Sequence, residues 1–181
     1  MQLKNEQYEE IKQVVIDTYQ QYDVRCIPIS AFELAIKMGL KLIAYSTLSE
    51  EKRKAARKIS ADGYSAETWD GVWEIYYNDE GNNYERINRT IMHEIGHYSL
   101  GHNHEGELEE MEANFFAKYA LAPPPLVHKL LYVNVKNIKY AFDISWEAAK
   151  YAYKYYKSWL KHGEEDYTPY EIELLELFKV A

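Results

Sequence analysis

The first 45 residues alternate between apolar and polar positions with the periods of two helices and a strand. Over residues 6–22, apolar positions recur every three or four residues opposite a polar face, which predicts a packed helix. Ser30 with Glu33 three residues later is typical of a helix N-terminus. We therefore expect a short second helix that ends at Gly39, followed by a strand at residues 40–45.

The next part of the chain contains two further extended segments after a basic helical face at residues 52–58. Segment 63–66 is a weak strand candidate, whereas 72–77 is rich in aromatic and branched residues. Asp70-Gly71 between them is a hairpin-turn signal. We expect a small antiparallel sheet of about three strands. As an exposed edge, segment 72–77 can hold an extended peptide; ordinary sheet structure is the alternative interpretation.

From Asn82 onward the chain is predicted to be almost entirely helical. This order indicates an α+β fold, in which the small sheet packs against a mostly helical part. We expect one domain over residues 1–181. Its sheet-containing part lies at about 25–80, two helices lie at about 82–122, and the C-terminal helices lie at about 124–180.

Composition excludes several classes of protein. The 181 residues contain 21 basic and 29 acidic side chains, and the net charge of −8 argues against direct binding of nucleic acid. The single cysteine, Cys26, cannot form an internal disulfide, and we expect it to be a buried apolar thiol. We see neither an export signal nor an apolar run of the roughly 18 residues that a membrane span needs. The expected location is the cytoplasm, without a membrane partner.

The strongest chemical signal is the HExxH segment His93-Glu94-Ile95-Gly96-His97. Residues four apart share a helix face, so the two histidines can direct their imidazoles at one ion. Glu94 is rotated by about 100° from His93 and so flanks the ion, where a base for activating water belongs. Asn82 with Glu85 resembles a capping box for this helix, and Gly101 is expected to end it.

A zinc site needs a third ligand from elsewhere in the chain. In one familiar extended motif, a glycine follows the second ligand by three residues and a histidine follows it by six. This chain has Leu100 and Asn103 at those positions, so the motif is not met, and we interpret His102 and His104 as loop histidines. The alternative is an acid from the following helix, which offers Glu107, Glu109, Glu110 and Glu112.

Helical phase ranks these acids. Glu110 shares an inward face with Asn114, which lies one turn later and can hydrogen-bond a ligating imidazole. Glu112 points roughly the opposite way. Glu110 is therefore the preferred third ligand, Glu109 is the next candidate and Glu112 follows. The donor for a developing oxyanion is a tyrosine or His102, on residue type alone.

The sequence RTIMHEIGHYSLGH at residues 89–102, followed by EMEANFFA at 110–117 and a nearby proline, resembles the ImmA/IrrE family of metallopeptidases. The resemblance covers roughly residues 25–160. It implies a gluzincin-like Zn²⁺ site of His93, His97 and Glu110, with Glu94 as the catalytic base. It also implies a small sheet beside the metal helices. The family usually has a leucine-methionine-proline ending where this chain has Leu121-Ala122-Pro123.

The resemblance also implies a biological role. Such proteins commonly relieve repression by cleaving a helix-turn-helix repressor of a phage, mobile element or stress regulon. A rival interpretation is a non-catalytic metal-binding module that sequesters a repressor, and a third is a hydrolase of small peptides without a dedicated partner. The presence of Glu94 favours catalysis, because a purely structural metal site would not require it.

Overall fold

In the computed structural model, which describes residues 3–104, 106–163 and 167–179, a small sheet packs against helices. The α+β fold expected from the sequence is confirmed. In chain order the elements are α1 (Asn5–Gln21), α2 (Ala31–Lys37), β1 (Lys41–Ala44), α3 (Glu50–Ile59), β2 (Gly63–Glu67), β3 (Trp73–Tyr77), α4 (Tyr84–Ser99), α5 (Glu107–Leu121), α6 (Pro124–His128), α7 (Val135–Phe142), α8 (Trp146–Gly163) and α9 (Pro169–Leu177).

Local signals place the ends of α2 as expected. The Ser30 hydroxyl accepts a hydrogen bond from the Glu33 backbone N–H, which satisfies one of the free donors of the first turn. Gly39 follows the helix with a φ of 76°, a left-handed conformation that glycine adopts without steric cost. These two residues fix the point where the chain enters β1.

The sheet has three strands in the order β1-β3-β2, and it is mixed. The expected antiparallel pairing holds for the β2-β3 hairpin, whereas β1 pairs parallel to β3. The chain crosses through α3 between β1 and β2, and this connection allows β1 to align with β3 in the same direction. The segment proposed as an edge, residues 72–77, is therefore central, and β2 is the edge strand that faces the candidate site.

Helix α4 begins one residue later than expected. The side chain of Asn83, not Asn82, accepts from the backbone N–H of Arg86 and caps the helix. Asn82 instead donates to the Asn78 carbonyl. Gly101 follows the end of the helix with a φ of 69°, as its sequence position predicts.

Small side chains allow α4 to approach its neighbours closely. A Cβ on Gly96 would lie 3.1 Å from the Phe116 ring of α5, and a Cβ on Gly63 would lie 2.7 Å from Thr90 Cγ2. The buried Asn88 side chain bonds the backbone of Ala31 and Ile29, which attaches α2 to α4. Helix α4 is thus fixed against α5, β2 and α2, and its position relative to these elements determines the geometry of the site.

One expectation about the rest of the chain is contradicted. Cys26 is exposed, so its assignment as a buried thiol is wrong. It lies in the irregular segment between α1 and α2, where the chain forms no helix or strand that would direct its side chain towards the core. Within the described ranges, every helix is too short or too polar to cross a lipid bilayer.

Candidate metal centre

The α4 helix brings two imidazole nitrogens together at the edge of a cleft. His93 and His97 lie one turn apart, and their Nε2 atoms are separated by 3.1 Å. Both side chains are largely buried, with 15% and 10% of their surfaces exposed. The fully buried Ile91 and Ile95 carry the opposite side of the same helix into the core.

Helix α5 brings Glu110 to these two histidines. Its carboxylate oxygens lie 3.2 Å from His97 Nε2 and 3.5 Å from His93 Nε2, and its side chain is half exposed. The other acids that the sequence left open have different partners: Glu109 binds His104, and Glu112 binds His102. Of the four candidates on α5, the structure therefore places Glu110 in a group with both histidines.

The spacing of the three donors fits a tetrahedral ion. Bonds of about 2.1 Å to a tetrahedral metal separate neighbouring ligand atoms by about 3.4 Å. The two Nε2 atoms are 3.1 Å apart, Glu110 Oε1 lies 3.2 Å from His97 Nε2 and Glu110 Oε2 lies 3.5 Å from His93 Nε2, and all three separations are close to this value. Two imidazoles and one carboxylate leave a vertex open, which is the pattern of catalytic rather than structural zinc sites.

His93 is prepared to bind a cation because it resists protonation. Its pKa is lowered to about 3, chiefly because burial disfavours the charged ring and further because His97, Arg89 and His102 add positive charge when protonated or ionised. The ring is therefore neutral at pH 7. A metal needs a ligand in this deprotonated state.

A chain of polar contacts supports His97 from behind. The Nδ1 atoms of His97 and His102 lie 2.9 Å apart, and His102 Nε2 lies 3.1 Å from Glu112 Oε2. The Gln7 amide of α1 donates to the other Glu112 oxygen at 2.8 Å. His102 lies in the loop between α4 and α5, as expected, but its side chain is only 8% exposed and takes part in this chain of contacts.

The proton positions along this chain follow from its chemistry. With Nε2 of His97 used for a metal, its Nδ1–H donates to His102 Nδ1, and His102 Nε2–H donates to the Glu112 carboxylate. Each contact then has one donor and one acceptor. Both nitrogens of His102 are occupied, so this residue is no longer a candidate donor for an oxyanion.

Glu94 lies beside the triad and has a hydrogen-bond partner on β2 that local sequence patterns do not reveal. The Ser65 hydroxyl of β2 donates to Glu94 Oε2 at 2.6 Å. Glu94 is 6% exposed and lines the same cleft as both histidines. The hydrogen bond orients the carboxylate towards the cleft and stabilises its charged form.

Asn114 supports the site differently from the expectation. Its Nδ2 donates to the Glu110 backbone carbonyl, and its Oδ1 accepts from Arg89 Nη2 at 3.0 Å, so these bonds reach neither imidazole. Asn114 thus connects α5 to Arg89, one turn before His93 on α4. Its expected bond to a ligating ring is replaced by a link between the two helices that carry the triad.

The triad and Glu94 line a cleft of about 610 Å³. The whole of β2 forms one wall, and α4 and α5 form the other. In the described part of the chain β2 pairs with β3 alone, so its outer edge keeps unpaired backbone groups. The cleft therefore combines a metal-type donor set, a buried carboxylate and an open strand edge.

Comparison with known families agrees with this geometry. The family model Peptidase_M78, described as the IrrE N-terminal-like domain, matches residues 49–154, which is more than half of the chain and includes α4 and α5. No curated protein matches the chain significantly. The chain therefore belongs to the Peptidase_M78 family of IrrE N-terminal-like domains, a family of metallopeptidases.

Proposed function

We propose that this chain is a zinc-dependent endopeptidase that cleaves a helix-turn-helix repressor in the cytoplasm. The observation that carries the proposal is the convergence of His93, His97 and Glu110 beside Glu94 in one cleft. Membership in a metallopeptidase family supports the reaction class, and it implies a protein substrate. The resemblance to ImmA/IrrE proteins supports a repressor of a phage, mobile element or stress regulon as that substrate.

Three residues would hold the metal, and Glu94 would act on the substrate. His93, His97 and Glu110 supply two nitrogen donors and one oxygen donor. Zn²⁺ suits this set, which also accepts manganese or iron. When bound, the ion supplies Lewis acidity, which makes water acidic near neutral pH and polarises a peptide carbonyl.

Glu94 moves the proton in this scheme. Its carboxylate takes a proton from the attacking water and returns it to the nitrogen of the leaving amine. Ser65 keeps the carboxylate in place during both transfers through its bond to Oε2. His102 and Glu112 hold the His97 ring so that its Nε2 stays directed at the other two donors.

The edge strand β2 provides a way to hold the substrate. An extended peptide can pair with the outer edge of residues 63–67 and continue the sheet, which places its backbone along the cleft. Main-chain pairing depends little on the amino-acid sequence of the bound peptide. Discrimination between substrates must then come from side-chain subsites in the cleft walls.

The rival function is sequestration of the repressor without cleavage, and a Glu94→Gln protein separates the two. We expect this variant to keep its metal and to lose hydrolysis of the repressor by about 10²- to 10⁴-fold, the usual contribution of a general base. The measurement is fragment formation by mass spectrometry, in parallel with a reporter of repression. Glu109→Gln is the matched control, because Glu109 binds His104 outside the triad.

Two results would contradict cleavage of a repressor. Full relief of repression by Glu94→Gln with no fragment of the repressor contradicts hydrolysis and favours sequestration. Turnover of short unstructured peptides with no cleavage of any repressor favours the third interpretation, a small-peptide hydrolase.

A further inference from the structure

Two cations beside the metal cleft have no carboxylate partner in the described part of the chain. Arg89 lies one turn before His93 on α4, and its only hydrogen bond there is to the neutral Asn114 amide. Lys118 on α5 lies with its ammonium 4.6 Å from the centre of the Tyr151 ring. Neighbouring cations are neutralised: Arg86 binds Asp62 through two contacts of 2.8 and 2.9 Å.

Both cations line a second cavity, which adjoins the metal cleft. This cavity has a volume of about 570 Å³, and Arg89 lines both it and the cleft. Three acids also line it. Asp62 is bound by Arg86 and Glu85 by Lys139, and the third acid is Glu147 at the start of α8. Three cations and three acids line the cavity, but Glu85 is neutralised by Lys139 from outside the lining, so Arg89 and Lys118 outnumber the one remaining acid.

The two cations also affect each other. The pKa of Lys118 lies below its ordinary value, because its ammonium is partly buried and because Arg89 adds like charge. Two positive groups that line one cavity, neither of them bonded to a carboxylate of the described residues, form a place where an anion is stabilised by both. The cavity is also lined by apolar residues, which are Leu121, Ala122, Ile144, Ala148 and Ala152.

The arginine presents donors suited to a carboxylate. A guanidinium carries five N–H donors in a planar fork that matches two carboxylate oxygens, and the hydrogen bond to Asn114 uses one of them. Asn114 is itself fixed to the Glu110 carbonyl. The fork is therefore oriented by the same helix that carries the third candidate ligand.

We propose that Arg89 and Lys118 form a carboxylate-binding subsite of the metal cleft, which selects peptides with an acidic group near the cleaved bond. One helical turn separates Arg89 from His93, about 6 Å along the axis, and an extended peptide advances about 3.3 Å per residue. The acidic group then lies about two residues from the bond. The inference rests on the proposed peptidase function, because the carboxylate belongs to its substrate.

The test uses quenched fluorescent decapeptides in which a single Glu, or its uncharged isostere Gln, occupies each position in turn. At one position near the cleaved bond, the full-length protein is expected to hydrolyse the Glu peptide about tenfold faster in kcat/KM, the worth of a charged hydrogen bond. Arg89→Gln brings this ratio close to one. Lys118→Gln, which leaves the Arg89–Asn114 contact in place, lowers it several-fold.

Lys157→Gln is the matched control. Its ammonium also lies over a tyrosine, 4.7 Å from the centre of the Tyr153 ring, but Lys157 lines neither cavity. The preference for Glu must be unchanged in this variant. Equal rates for Glu and Gln peptides at every position, or a preference that survives both Arg89→Gln and Lys118→Gln, overturns the subsite.

Binding distinguishes failure of the subsite from failure of the proposed function. If no peptide is hydrolysed, the peptidase proposal fails, and the subsite is tested by calorimetric binding of the same peptides to the Glu94→Gln protein. Tighter binding of one Glu peptide, weakened several-fold in the Glu94→Gln/Lys118→Gln double variant, supports the subsite. Equal binding of all Glu and Gln pairs contradicts it.

Discussion

The two histidines of α4 are supported in different ways. His97 has a partly buried chain of polar contacts behind it, through His102 and Glu112 to Gln7 on α1. The contacts of His93 within the described residues are to His97 and Glu110, and its neighbour on the helix face is Arg89 at the cleft. One side of the centre is thus fixed by a polar network, while the other is open to substrate. Metal binding and substrate turnover should therefore respond to different mutations.

Mutation of the fixed side, the polar network behind His97, is expected to have the larger effect, and this effect is on zinc binding. His102→Ala removes the partner of His97 Nδ1, and we expect it to weaken zinc binding by about 10- to 100-fold, the usual cost of losing such a supporting hydrogen bond. The measurement is competition for zinc with a chelator of known affinity. Glu112→Gln should cause a smaller loss, because an amide oxygen still accepts from His102 but carries no charge.

His104→Ala is the control for this prediction. His104 is an exposed histidine two residues further along, bonded to Glu109, and its removal should leave zinc affinity unchanged. If His102→Ala binds zinc as tightly as the unmodified chain, the fixed side has no role in holding His97.

Mutation of the open side, where Ser65 and Glu94 line the cleft, is expected to have a smaller effect, and only on turnover. Ser65→Ala removes the donor to Glu94 Oε2 and should lower kcat/KM about tenfold, because one hydrogen bond to a charged group is lost. Zinc affinity should stay constant. Ser158→Ala, at an exposed position on α8, is the control. A parallel loss of zinc from Ser65→Ala would show that the two sides are not separable.

Features that depend on neighbours in sequence were predictable. The phase of His93 and His97, the cap at Ser30 and the turn at Gly39 each follow from residues within a few positions. The choice of Asn82 over Asn83 as the cap of α4 was wrong, because both residue types suit the position and a shift of one residue leaves the sequence pattern almost unchanged.

Features that depend on distant contacts were not predictable. The polar chain behind His97 joins Gln7 to Glu112, which are 105 residues apart. Ser65 lies on a strand whose own pattern is weak, and its bond to Glu94 exists because β2 packs against α4 where Gly63 meets Thr90. The parallel pairing of β1 likewise depends on the crossover through α3, and strand periodicity carries no information about direction.

Metal content tests the central claim most directly, that His93, His97 and Glu110 hold one ion. The account predicts about one zinc per purified chain, and almost none after His97→Ala or Glu110→Ala, because two remaining donors bind weakly. Glu109→Ala, which changes the runner-up acid, should keep its zinc. A Glu110→Ala protein that retains a full complement of zinc would contradict the account.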